Sequence, residues 1–232
     1  MTDPIMAYAG VMRVEIERMN SIAHNSSNVN SDGFLQEKTY LDGNQFKKIL
    51  LNQKIDNSYS VAPDKKLGAL RLTQSSNDIG INSGDWFQVE SDEGTFLTRN
   101  GHFNLDEAGT LCLGKYKVVG TNGYITALKP GFTVHSDGSV FSGGEYVDKL
   151  KMISLPENFT LSPAGNGVYL SPSDAKEATD PKVVQGALVA SNVDIQSDMT
   201  KIIEISRHIE MLQRAMTAYS SVLDVGINQI GK

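Results

Sequence analysis

Two narrow apolar stripes, one at each end of the chain, constrain the fold more than anything else in the sequence. Near the N-terminus, Ile5, Ala9, Met12, Ile16, Met19 and Ala23 recur at alternating spacings of four and three, the pattern of a helix that buries one seam. Asp3-Pro4 supplies a start, because Asp accepts hydrogen bonds from free backbone N–H groups and Pro is shaped for the first helical position. Gly and Pro are absent from Val11 to Asp32, so the spacing predicts a helix to about Asn25 or Val29. Near the C-terminus, Ile202, Ile205, Ile209, Leu212, Met216, Tyr219, Leu223 and Ile230 keep the same rhythm, and Gly and Pro are absent from Ala187 to Val225. Ser191-Asn192-Val193-Asp194 has the chemistry of a capping box, Ser followed three residues later by a carboxylate. A second long helix is expected to follow it and to end near Gly231.

A helix with a narrow apolar stripe cannot bury that stripe alone. The two terminal helices are therefore expected to partner each other, and also neighbouring molecules, while the middle of the chain forms a separate body. Asp32 to Gly80 is mixed and polar, with a short helix expected around Asn44–Leu51. From Ile81 to about Asp180, Glu93-Gly94, Asn100-Gly101, Asn122-Gly123 and Asp137-Gly138 punctuate β-prone runs such as "KYKVVG" and "YITAL", a signal of hairpins in an antiparallel domain. The expected fold class is α+β: long N- and C-terminal helices pairing as a coiled coil, with an inserted antiparallel β-rich domain. The segments are 1–31 for the first helix, 32–80 for an extended connector, 81–186 for the β-rich domain and 187–232 for the second helix.

Composition narrows the function classes. A chain of 232 residues, 40% hydrophobic and 21% charged, is long and apolar enough to bury a core. Its net charge of −6 argues against a nucleic-acid surface, which needs clustered Lys and Arg; Lys47, Lys48 and Lys54 form only a thin cluster. Cys112 is the single cysteine, so neither an internal disulfide nor a Cys-rich zinc site can form. No apolar run approaches the ~20 residues that span a bilayer, and Met1–Asn20 lacks the basic and apolar regions of a cleaved export signal.

Three segments carry a family resemblance. "IAHNSSNVNSDGF", Ile22 to Phe34, resembles the Asn-rich N-terminal signature of bacterial flagellar rod and hook proteins, with Asn25, Asn28, Asn30, Gly33 and Phe34 in the matching positions. "GDWFQVESDEGTFLTRNGHFNLDEAGTL", Gly84 to Leu111, resembles a second family stretch. "VQGALVASNVDIQSDMTKIIEISRHIEM", Val184 to Met211, resembles the C-terminal segment in which Ser191, Asn192 and Val193 precede a long helix. The resemblance covers essentially the whole chain and, through its length and the "ISRHIEMLQRAM" helix, is greatest to proximal rod members. Ser26, Ser27, Leu35 and Ala190 depart from the family's usual residues.

This resemblance implies a structural rod subunit with no substrate and no cofactor. It implies export through the flagellar type III apparatus without a cleaved signal, and polymerisation in the periplasm with copies of itself and other rod proteins. The terminal helices would form the inner tube and the β domain the outer layer; distal rod or hook subunits are the nearest alternatives. The residues themselves supply the elbow. Asn and Ser compete for backbone hydrogen bonds and favour turns over helix interiors, and Gly33 permits a conformation closed to other residues, so the stretch ends the first helix and redirects the chain, with Phe34 as its anchor.

Catalysis and metal binding have little footing. His24, His102, His135 and His208 lack metal-ligand spacing. "SDAK", Ser173 to Lys176, is an isolated SxxK without its partner motifs. "GNGVYL", Gly165 to Leu170, lacks the third glycine of a dinucleotide loop. "NLDEAG", Asn104 to Gly109, lacks calcium-loop spacing and reads as a turn between strands. Met12, Met19, Met199, Met211 and Met216 read as seam fillers, and Trp86-Phe87 as an anchor of the β core. Two other classes fit the sequence less well. A peptidoglycan-acting enzyme needs a pair of carboxylates in a cleft, which nothing in the sequence picks out. A coiled-coil fibre needs its heptads in one continuous block, whereas here they are split between the ends.

Overall fold

The computed structural model of the protein describes residues 4–41, 59–156, 159–165 and 167–230. The short helix expected at Asn44–Leu51 lies outside them. Two compact units divide the chain: one of residues 1–27, 37–63 and 194–232, the other of residues 28–36 and 64–193.

The first unit is built on the two terminal helices. Helix α1 spans Pro4–Ser27, beginning at the proline and ending between the two limits expected. Helix α2 spans Ile195–Ile230 and packs against α1. Its first turn is capped by Asp194, whose Oδ1 accepts hydrogen bonds from the backbone N–H groups of Gln196 (3.1 Å) and Ser197 (3.2 Å). The expected capping box from Ser191 is thus corrected: Ser191 Oγ accepts from the N–H of Val193, because residues 187–189 are strand and the chain turns helical only after Asp194. A hairpin completes the unit, β1 (Glu37–Leu41) antiparallel to β2 (Tyr59–Pro63), with β1 packed on α1. Among its described residues, Val14, Ile22 and Ile205 are the buried apolar side chains.

The second unit is antiparallel β throughout its described pairings. In chain order its strands are β3 (Leu70–Leu72), β4 (Ile79–Ile81), β5 (Trp86–Ser91), β6 (Gly94–Thr98), β7 (Asn104–Leu105), β8 (Leu111–Leu113) and β9 (Tyr116–Val118). There follow β10 (Thr133–Val134), β11 (Ser139–Ser142), β12 (Glu145–Lys149), β13 (Met152–Ser154), β14 (Pro163–Gly165), β15 (Val168–Leu170), β16 (Lys176–Glu177), β17 (Val183–Gln185) and β18 (Ala187–Val189). The largest sheet runs β14-β15-β6-β5-β9-β8-β7, with β13 joining β5 and β16. β10-β11-β12 form a second sheet, and β17 pairs β4 as β18 pairs β3.

Strands β5 and β6 show why the core divides in two. Successive side chains of a strand point to opposite faces: Phe87, Val89 and Phe96 enter the larger apolar cluster, which also holds Ile79, Phe103, Phe132 and Leu150. Trp86 and Leu97 enter a smaller one with Leu35, Ile153 and Tyr169. Both faces are covered at Trp86-Phe87 and Phe96-Leu97, so apolar side chains stand next to each other there instead of alternating. Trp86 and Phe87 are both core anchors, as expected, but of different clusters.

The turn dipeptides behave unequally. Gly94 opens β6 after a tight turn from β5, and Asp137-Gly138 lies between β10 and β11. Asn100-Gly101 makes no hairpin. A Cβ on Gly101 would stand 1.7 Å from the carbonyl oxygen of Ile79, so the glycine allows two backbones to touch. The polar stretch 32–80, expected as a connector, carries β1 to β3 and the start of β4; these strands are short, and the partners of β3 and β4 lie more than a hundred residues away, so no local period marks them.

Candidate functional site

The three motif segments supply several polar residues that are bonded to distant parts of the chain. In the helical unit, Asn25 at the end of α1 is buried, and its side-chain amide copies a strand partner: Nδ2 donates to the carbonyl oxygen of Glu37 (2.9 Å) and Oδ1 accepts from the N–H of Glu37 (2.7 Å). Ser21, one turn earlier, meets the Thr39 hydroxyl at 3.0 Å. A small polar face on α1 therefore seats strand β1, which is why the opening motif is poor in apolar anchors.

In the β unit, residues 31–36 run into a junction built by all three motifs. Gly33 has φ +71°, and its N–H donates to the carbonyl oxygen of Val189 (2.7 Å). Phe34 is buried, and its carbonyl oxygen accepts from the N–H of Asn192 (3.4 Å). Asn192 binds two further segments. Its Oδ1 accepts from the N–H of Gln36 (2.5 Å), and its Nδ2 donates to the carbonyl oxygens of Asp64 (2.9 Å) and Lys66 (2.8 Å).

Beside this clamp lies Arg99, 3% exposed. Nη1 donates to the carbonyl oxygen of Lys65 (2.7 Å) and Nη2 to that of Gly84 (2.9 Å), while the guanidinium lies 4.3 Å from the Trp86 ring centroid. Trp86 meets Tyr169 edge-on at 5.5 Å. Burial lowers the Arg99 pKa to about 10, the nearby Tyr169 and Asp85 opposing it; the group stays a cation at neutral pH, held by carbonyls and a π face in place of a carboxylate. Sequence reasoning quoted Arg99 within a motif without giving it a role. The available signal was a lone cation directly after the apolar run "TFLT".

The other motif residues are peripheral. Asn28 accepts hydrogen bonds from Ser31, at its backbone oxygen from the N–H and at Oδ1 from Oγ (both 3.1 Å). Asn30 is exposed, and Ser191 and Val193 are half-buried.

The seam residues divide by helix. On α2, Ile205 is buried and Ile202, Ile209, Leu212, Met216 and Tyr219 are half-buried, with Leu223 exposed. On α1, Ile5, Met12 and Met19 are half-buried, whereas Ala9, Ile16 and Ala23 are exposed. The stripe on α1 is thus turned aside from the buried Val14, Ser21 and Asn25. A further set of exposed apolar side chains on α2, Met199, Ile203, Val222 and Val225, lies on the arc opposite Ile205 at 100° per residue.

Among the described residues no three His, Cys, Asp or Glu side chains gather as metal ligands. His24 lies 3.0 Å from Glu37, His102 2.7 Å from Asp78 and His208 3.7 Å from Glu15, while His135 stacks on Phe141. The "NLDEAG" turn satisfies its own carboxylate: Asp106 Oδ1 accepts from the N–H groups of Thr110 (2.7 Å) and Ala108 (2.9 Å), and the bond from Thr110 leads in lowering its pKa. Ser173 Oγ pairs with Asp174 (3.2 Å), and the described part of "GNGVYL" belongs to the β14–β15 hairpin. No described helix is long and apolar enough to cross a membrane.

Comparison with known proteins agrees with the motif reading. Residues 184–230 match the family model for the flagellar basal body rod FlgEFG protein C-terminal region. Over 97% of its length the chain is 28% identical to the flagellar basal-body rod protein FlgF of Rhizobium meliloti, covering 96% of that protein. It is 27% identical to FlgF of Caulobacter vibrioides, with 97% of each chain covered. It is 26% identical to the rod protein FlgG of Bacillus subtilis over 95% of this chain and 97% of that one. With relatives aligned from end to end and a matching C-terminal region, the chain is similar over nearly its whole length to flagellar basal-body rod proteins, FlgF among them.

Proposed function

We propose that the chain is a proximal-rod subunit of the flagellar basal body that polymerises through its terminal helices. The observation that carries this reading is the two-sidedness of α2. Ile205 and its heptad neighbours are occupied within the chain, while Met199, Ile203, Val222 and Val225 are exposed on the opposite arc. An isolated monomer gains nothing from such a stripe; a helix seated among copies of itself and other rod proteins buries it. Ile16, Ala9 and Ala23 give α1 a free edge of the same kind, and coiled-coil contacts through these stripes build the inner tube in this reading. In this reading the helical unit, residues 1–27, 37–63 and 194–232, supplies the tube, and the β unit, residues 28–36 and 64–193, the outer layer. Delivery through the type III export apparatus without a cleaved signal, and assembly in the periplasm, belong to the same reading.

The test is incorporation. The full chain, tagged within an exposed turn of the β unit, is expressed in the native bacterium lacking its own copy, and basal bodies are purified. Expected are the chain in the rod fraction and recovery of motility. A chain that folds and leaves the rod fraction empty overturns the reading.

A further inference from the structure

The one buried carboxylate oxygen without a partner among the described residues lies in the helical unit. Glu15 of α1 is 7% exposed. Its Oε1 stands 3.4 Å from Nη1 of Arg18 and 3.7 Å from Nδ1 of His208, whereas Oε2 accepts no hydrogen bond from any described residue and is shielded from solvent. A buried charged oxygen left in this way opposes folding unless something supplies a donor. Glu15 lines a groove between the two helices with Val11, His208, Met211, Leu212 and Ala215. The groove is otherwise mostly apolar, so its complement is a helix face that is apolar with a cation in its middle.

The exposed arc of α2 offers the cation. At 100° per residue, Arg207 and Arg214 fall at its centre, with the exposed Ile203, Glu204 and Glu210 next to them and Met199, Val222 and Val225 farther along. Both arginines are exposed, and neither has an ion pair among the described residues. We propose that Arg207 or Arg214 of one copy enters the groove of a second copy and donates to Glu15, an inference that rests on the rod-subunit reading and names the residues by which one subunit recognises the next. Arginine suits the task because its fork gives one N–H to a buried oxygen while the rest of the guanidinium stays hydrated. His208 and Met211, both more than half exposed at their side chains, swing aside to admit it. Donor and acceptor lie on different sides of the helical unit, so each copy offers its groove to one neighbour and its arginines to another. A heterologous contact of this kind propagates into an open helical array.

The test is a charge-reversal series in the full chain, expressed in the native bacterium lacking its own copy and read as incorporation into purified basal bodies. Glu15→Arg is expected to lower incorporation by about tenfold or more, and Arg207→Glu or Arg214→Glu to do the same. Glu15→Arg combined with the matching reversal restores it. A second readout avoids charge reversal: Glu15→Cys chains and Arg207→Cys or Arg214→Cys chains, all with Cys112→Ser, are expressed together and treated with a short bismaleimide, and a cross-linked pair is expected in the basal bodies. Incorporated chains with neither rescue nor cross-link overturn the pairing and leave the rod reading standing. An unaltered chain absent from basal bodies overturns both.

Discussion

Gly33 has no room for a side chain: with φ at +71°, a Cβ would stand 2.3 Å from the backbone nitrogen of Asn100. Gly33→Ala therefore combines a left-handed penalty of about 1–2 kcal/mol with a steric clash, and an overall loss of about 3 kcal/mol is expected in urea unfolding. Asn192→Ala removes three side-chain hydrogen bonds that tie residues 36, 64 and 66 to the strand before α2; at about 1 kcal/mol each, a loss of about 2–4 kcal/mol is expected by the same measurement. Asp106 governs an acid response. Bonds from its own turn hold its pKa below the usual carboxylate range, and Ser139 does the same for Asp137. A carboxylate whose folded value is depressed adds stability above its unfolded value and loses it as pH falls through the folded one. The urea midpoint is thus expected to fall below about pH 4, and Asp106→Asn with Asp137→Asn to flatten that limb. An unchanged slope would contradict this assignment.

Between residues and the whole lie the elements, and here the helices were legible while the short strands were not. The four-three spacing of Ile202 to Tyr219 marks α2 because those side chains are buried or half-buried within the chain, whereas Leu223, next in the rhythm, is exposed. On α1 the same spacing marks a stripe whose Ala9, Ile16 and Ala23 remain exposed, because Ser21 and Asn25 seat β1 by polar contacts that apolar counting ignores. Strands β3 and β4 escaped notice for a different reason: three residues are too few for a period, and their partners lie beyond residue 182. The cap of α2 offers a clean check. Asp194→Ala is expected to cost about 1 kcal/mol, visible as faster amide exchange in the first turn of α2, whereas Ser191→Ala changes that turn little.

For the molecule as a whole, the motifs carried the resemblance to rod proteins, and the structure adds which faces are committed. Ile205 is spent inside the chain, so Ile205→Ala is expected to destabilise the monomer by about 2–4 kcal/mol. Ile203, two residues earlier and 55% exposed, is not; Ile203→Glu is expected to leave monomer stability within about 0.5 kcal/mol while reducing incorporation into the rod. Equal effects of the two substitutions on monomer unfolding would mean that both faces of α2 are already satisfied in the monomer.

The long reach of Asn192 bears on the order in which the chain can fold. Strands β3 and β4 find their strand partners in residues 183–189, and Asn192 adds the side-chain bonds that join the segments around Gln36, Asp64 and Lys66. Closing loops of this size comes late and slowly. A chain that emerges from a narrow passage N-terminus first thus keeps β3 and β4 without their strand partners until about four-fifths of its length has emerged, a delay that the topology itself imposes.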